Sequence, residues 1–126
     1  MNILDDIVAP YRERLEKFAK SSNKNTELDA VSPDLYLFMK WAYRVEKGWY
    51  GFALADAPLV WAMIIDKYLQ RLEQEAPDFK IHQIKLKFGG LRFYVALNLK
   101  DNLKAEALQV EIEHLEELLQ DEKLIY

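Results

Sequence analysis

The chain contains no cysteine, and among its 126 residues there are only four glycines, four prolines and two histidines. Without cysteine, disulfides, thiolate metal sites and thiol catalysis are excluded together, and a reducing cytoplasm is the compartment that fits. No apolar run approaches the roughly 20 residues needed to cross a bilayer. Asp5 and Asp6 stand where a secretory signal would carry basic residues, so the chain is expected to be cytoplasmic and not membrane-bound. The one adjacent glycine pair, Gly89-Gly90, lacks the strand-to-helix setting and further glycines of a phosphate loop and reads as a turn. Ser21, Ser22 and Ser32 read as loop or cap residues rather than nucleophiles.

What is present is the composition of one globular domain spanning residues 1–126: 51% apolar and 30% charged, enough for a single hydrophobic core. Leu4, Val8, Tyr11, Leu15 and Phe18 recur at spacings of three and four and predict a first helix over about 3–21, bent or restarted at Pro10. The polar run 21–25 ends it as a loop. Ser32-Pro33-Asp34 has the form of a helix start, with serine as N-cap and proline at the first position. A helix to about residue 40 follows, with Leu35, Phe38, Met39 and Ala42 at helical spacing, while the alternation of Trp41, Tyr43 and Val45 with Ala42, Arg44 and Glu46 leaves 41–46 open between helix and strand. Asp56 and Pro58 signal another helix, to about Glu75, with Trp61, Ile64, Ile65, Tyr68 and Leu72 on its broad apolar face. Trp41, Trp49 and Trp61 are all expected in the core.

From about 79 to 97 the period changes from helical to two. A two-residue Gly89-Gly90 turn makes this an antiparallel hairpin in which Phe88 faces Leu91, Lys87 faces Arg92 and Lys85 faces Tyr94. One side is then His82, Ile84, Leu86, Phe88, Leu91, Phe93, Val95 and Leu97, and the other gathers Lys85, Lys87, Arg92 and Tyr94. An isolated hairpin is marginal in water, so helices must cover the apolar side. The expected fold is α+β, a hairpin covered by about four helices. The last of these starts after Asp101 and runs over about 102–123, with Leu108, Ile112, Leu115 and Leu119 forming a narrow stripe amid glutamates. That stripe suits packing on the domain or pairing with a second helix, including in a dimer.

Charge is segregated along the chain: residues 80–100 carry five basic and no acidic side chains, and residues 101–126 carry two basic and eight acidic ones, against a total of −4. Lys87 opposite Arg92 would be a like-charge cross-strand pair, which destabilises a hairpin unless something acidic meets it. Either acidic side chains of the same chain neutralise it, or a partner does. Glu111-x-x-His114 matches one half of a carboxylate-bridged di-metal element, but no second copy exists, so no metal is expected there. His82 reads as a core-edge histidine. No catalytic residues, cofactor or metal site are expected.

Gly48-Trp49-Tyr50 and the run Gln83-Ile84-Lys85-Leu86-Lys87-Phe88-Gly89-Gly90-Leu91-Arg92-Phe93-Tyr94-Val95 resemble a scattered group of small, largely uncharacterised bacterial and phage proteins. The group's pattern is G-W-(F/Y), a helix, then Q-(V/I)-K-E-K-F-G-G-L-R-F-Y-V, and the match covers about residues 41–97. The resemblance implies a bacterial or phage origin and carries no established activity. Leu86 stands where the group has glutamate, and the chain continues into an acidic helix where many members continue into a cysteine-bearing segment. The resulting expectation is a non-enzymatic protein-binding protein, an inhibitor or immunity-type factor. Its partner would meet either Lys85, Lys87, Arg92 and Tyr94 or the acidic Glu113, Glu116 and Glu117. The alternative is a nucleic-acid-binding module using the basic face of the hairpin.

Overall fold

The computed structural model describes residues 3–20, 32–54, 57–87 and 90–120. The polar loop read at 21–25, the start signal at Asp56 and the Phe88-Gly89 part of the turn lie outside them, as does the side chain of Phe18; the last helix, expected to about 123, ends at Leu118, because Gln120 is drawn into a bridge with Gly90. The element order is α1 (Ile3–Val8), a 3-10 turn (Ala9–Tyr11), α2 (Arg12–Lys20), α3 (Pro33–Trp41), a second 3-10 turn (Ala42–Arg44), β1 (Gly51–Ala53), α4 (Leu59–Glu75), β2 (Lys80–Lys87), β3 (Gly90–Ala96) and α5 (Asn102–Leu118). This is an α+β fold. No helix among the described residues is long and apolar enough to cross a membrane.

Local chemistry accounts for the helix boundaries. Pro10 occupies the 3-10 turn that divides the first helix into two, because its missing N–H and ring are tolerated at the start of a helical segment and not within one. Ser32 caps α3 by accepting the Leu35 N–H at 3.1 Å, with Pro33 at the first position. Asp101 caps α5 by accepting from the N–H groups of Leu103 and Lys104. The stretch 41–46 divides between the two expected alternatives: Trp41 ends α3, a 3-10 turn follows, and the extended Val45 forms an isolated parallel bridge to Ile81.

The expected two-stranded hairpin is one half of a three-stranded mixed sheet in the order β1-β2-β3. β1 runs parallel to β2, with Gly51, Phe52 and Ala53 opposite Gln83, Ile84 and Lys85. The β2–β3 register also differs from the expected one, since Lys87 pairs with Gly90, Leu86 with Leu91 and Lys85 with Arg92. Gly90 is thus the first residue of β3 rather than part of the turn. Two contacts hold it and its neighbour in the strand: a bridge from Gly90 to Gln120, and the Leu91 N–H donated to the Leu119 carbonyl at 3.2 Å. Moving the turn by one residue on both strands leaves every side chain on its expected face as far as Gln83.

There the ladder slips. Ile81 pairs with Val95 and Gln83 with Tyr94, so His82 is the extra residue of a β-bulge. Ile81, fully buried, takes the inward place expected of His82. The inner side of the sheet meets α4, where the Tyr68 ring stands edge-on to Phe93 at 5.9 Å. α4 is buried over most of its circumference, through Val60, Trp61, Ala62, Ile64, Ile65, Asp66, Tyr68, Leu69 and Leu72. It is therefore the central helix, with α1 and α3 packed on it. The stripe of α5 (Leu108, Ile112, Leu115) and Leu119 beyond it are buried against the same core.

Candidate functional site

Two surfaces and one helix carry the candidate residues. The first surface is the outer face of the sheet. Lys85 on the central strand directly faces Arg92, so the like-charge pair exists, with Lys85 in the place expected for Lys87. Lys85 forms no ion pair among the described residues. Arg92 donates to the Leu91 carbonyl at 3.2 Å and forms no salt bridge there either. Tyr94 lies opposite Gln83 and is exposed, and Lys87 is exposed at the end of β2.

The bulge adds an aromatic pair to this face. His82 stacks on Trp49 with ring centres 4.2 Å apart and planes within 9°, and its Nε2 lies 2.6 Å from Glu46 Oε2. The segment is delivered by the Val45 bridge and by the Glu46 N–H donated to the Ile81 carbonyl at 2.9 Å. Trp49, expected in the core, is half exposed. A signal was present: Gly48 and Gly51 bracket Trp49-Tyr50, and both adopt the left-handed region, at φ 92° and 77°. Such a bracket marks a tight excursion of the chain rather than a buried strand.

The second surface was not anticipated. α3 buries Pro33, Leu37 and Trp41 and not the set at Leu35, Phe38, Met39 and Ala42. The helix is apolar on most sides, so periodicity alone does not choose its face; the Trp41 indole does. Its N–H is donated to the buried Asp66 carboxylate at 2.8 Å, and its ring lies against Phe79. Lys40 Nζ at 3.6 Å and Gln70 at 3.3 Å complete the surroundings of Asp66. Turning Trp41 inward leaves Leu35, Phe38 and Met39 outward, the last 73% exposed. Tyr50, 83% exposed, and Phe52 join Leu35 and Phe38 around a groove of about 300 Å³, with Ser32 and Asp34 at its polar end.

The acidic residues of α5 divide between two roles. Glu113 and Glu117 are exposed. Glu116 turns to β3 and accepts the Phe93 N–H at 2.8 Å, which ties it to the sheet margin. Burial raises the Glu116 carboxyl above its ordinary value, opposed by the Phe93 N–H and by Arg92. Glu111 holds α5 to α4: Arg71 grips it with two bonds of 2.8 Å, and the Tyr68 hydroxyl donates to it at 3.1 Å. Burial, followed by the Glu111 charge, pushes the Tyr68 phenol far up. Glu111 is thus engaged by Arg71, while His114 is exposed. Among the described residues no group of three or more His, Asp or Glu side chains is placed to hold a metal ion.

A third cluster, Tyr43, Arg44 and Glu73, ties the 3-10 turn after α3 to the end of α4. Tyr43 donates to Glu73, and Arg44 reaches Glu73 at 3.0 Å and the Pro77 carbonyl at 2.6 Å. The hydrogen bonds from Tyr43 and Arg44 hold the Glu73 carboxyl below its ordinary value. Comparison of the chain with protein-family models, with curated proteins and with solved structures returns no match.

Proposed function

We propose that this chain is a non-enzymatic protein-binding protein, of the kind that inhibits or neutralises a specific partner, and that it docks through the outward ridge of α3. One observation carries the reading: a helix whose inner face fills the core leaves Leu35, Phe38 and Met39 in solvent, beside Tyr50. Single exposed apolar residues are ordinary, whereas a continuous set around a groove marks an interaction surface. Aromatic residues and methionine are the types enriched at such interfaces, and a shallow apolar groove with a polar end suits an apolar ridge or helix of another protein. The exposed Glu113 and Glu117 on α5 offer a separate, acidic surface for a basic partner.

The test is affinity capture from the native host with identification of the retained protein, repeated with Phe38→Glu/Met39→Lys and with Glu113→Lys/Glu117→Lys. The expected result is that the first variant loses capture at least about 100-fold, as centrally placed anchors do, while its thermal unfolding midpoint stays within a few degrees of the parent. Capture that survives the first variant and is lost in the second would transfer the docking role to α5.

A further inference from the structure

We infer that the outer face of the sheet is a binding surface for single-stranded nucleic acid. It draws on residues other than those of the α3 ridge, so either reading can fail without the other.

The outer face carries an arrangement that the fold tolerates rather than needs. Lys85 and Arg92 face each other across β2 and β3, and like charges so placed oppose pairing of the strands. Among the described residues neither cation forms a salt bridge, although the Glu116 charge acts on Arg92. Glu116, the acidic side chain nearest in effect to Arg92, gives its hydrogen bond to the Phe93 backbone. Glu46 is bound to His82. Lys80, opposite Ala96, and Lys87, opposite Gly90, extend the basic row along β2 to both ends of the strand. A face assembled this way calls for a polyanion.

The aromatic rings decide which polyanion. An acidic peptide would satisfy the cations, but rings set among cations on one sheet face match the stacking of bases more closely. Tyr94 stands 46% exposed next to Arg92 on β3. Trp49 has one ring face covered by His82 and is 49% exposed. His82, held by Glu46 on one side and stacked on Trp49, keeps that indole in a fixed orientation. Cations that track a backbone, interleaved with rings on which bases stack, are the two parts of a single-strand platform. Hydrogen-bond readout is not required, since every base has a π-face. The sequence alone offered one exposed tyrosine and three clustered cations. The bulge at His82 and the bridge at Val45 bring in the second ring, and the length of β2 brings in Lys80.

The experiment is a fluorescence-anisotropy titration of a labelled 20-residue oligo-dT, with a duplex of equal length and poly-L-glutamate as competitors. Binding at low salt is expected to weaken with a log–log slope of roughly −2, about −0.7 for each phosphate met by Lys80, Lys85 and Arg92. Tyr94→Ala should weaken binding about 10-fold or more at all salt concentrations. Quenching of tryptophan emission by the oligonucleotide should disappear in Trp49→Phe. Lys85→Gln should weaken binding and make the slope shallower by about 0.7, while its thermal midpoint equals or exceeds that of the parent because a repulsive pair is removed. This opposite movement of affinity and stability separates a binding role from a structural one. No binding of oligo-dT at low salt would overturn the proposal. So would poly-L-glutamate competing as well as the oligonucleotide while Tyr94→Ala binds like the parent, an outcome that assigns the face to an acidic protein.

Discussion

Glu116 and Glu73 are two carboxylates of one fold whose environments act in opposite directions. Glu116 is raised by burial, so it takes up a proton more readily in the folded chain than in the unfolded one. Its ionisation costs stability as pH rises through the raised folded value, and that cost is absent below the unfolded value. Glu73 is lowered by Tyr43 and Arg44; its contribution is present above the unfolded value and is lost as pH falls through the folded one. Glu116→Gln keeps an acceptor for the Phe93 N–H without a desolvated charge. Its urea midpoint should equal or exceed that of the parent near neutral pH, and the two should converge on acidification. Glu73→Gln should lower the neutral midpoint, again with convergence in acid. Parallel shifts for the two variants across the pH range would contradict the assignment.

At the level of elements, the joint between α4 and α5 rests on Glu111. Removing its side chain leaves the Arg71 guanidinium and the Tyr68 hydroxyl without their shared acceptor in a part-buried setting. Glu111→Ala is expected to cost about 1–3 kcal/mol, measured by chemical denaturation, whereas His114→Ala, on the exposed side of the same helix, should stay within about 0.5 kcal/mol. The elements themselves were legible in the sequence where local chemistry sets them: Pro10, Ser32 and Asp101 mark their boundaries, and the faces of β2 and β3 follow from period-two alternation even though the turn lies one residue earlier. β1 was not legible. Its three residues, Gly51–Ala53, are too few to show alternation, and their pairing with Gln83–Lys85 is a parallel contact distant in sequence. The outward face of α3 was hidden for a different reason. Its orientation is decided by the Trp41–Asp66 hydrogen bond, and a tertiary contact leaves no periodic trace. Of the candidate site, the basic residues of the hairpin were legible as a charge cluster, whereas Trp49 reached the same face only through the bulge at His82.

For the molecule as a whole, the sheet is flanked at both margins by carboxylates. Glu116 of α5 accepts the Phe93 N–H on the β3 side, and Asp34 of α3 accepts the Leu54 N–H just after β1. Unpaired strand margins are templates for further strands, and charged or covered margins suppress this. The double variant Asp34→Ala/Glu116→Ala is expected to lose about 1–3 kcal/mol per uncapped N–H and to self-associate with rising concentration, read as a mass increase by light scattering after gel filtration. The parent should not change mass under the same conditions. A double variant that unfolds at lower urea yet keeps the parent's mass at every concentration would show that the two carboxylates stabilise the margins without guarding them.

The bulge at His82 also bears on how the chain can be altered. A strand of strict alternation transmits any one-residue insertion along its whole length, exchanging inside for outside. In β2 the irregularity already lies between Ile81 and Gln83, so the segment before it and the segment after it are phased separately. A residue added beside His82 would reorient the ring on which Trp49 stacks, and deletion of His82 would remove it, while Ile84, Leu86 and the strand beyond them keep their phase. The sheet therefore contains a place where its outer surface can be re-edited without re-founding its interior.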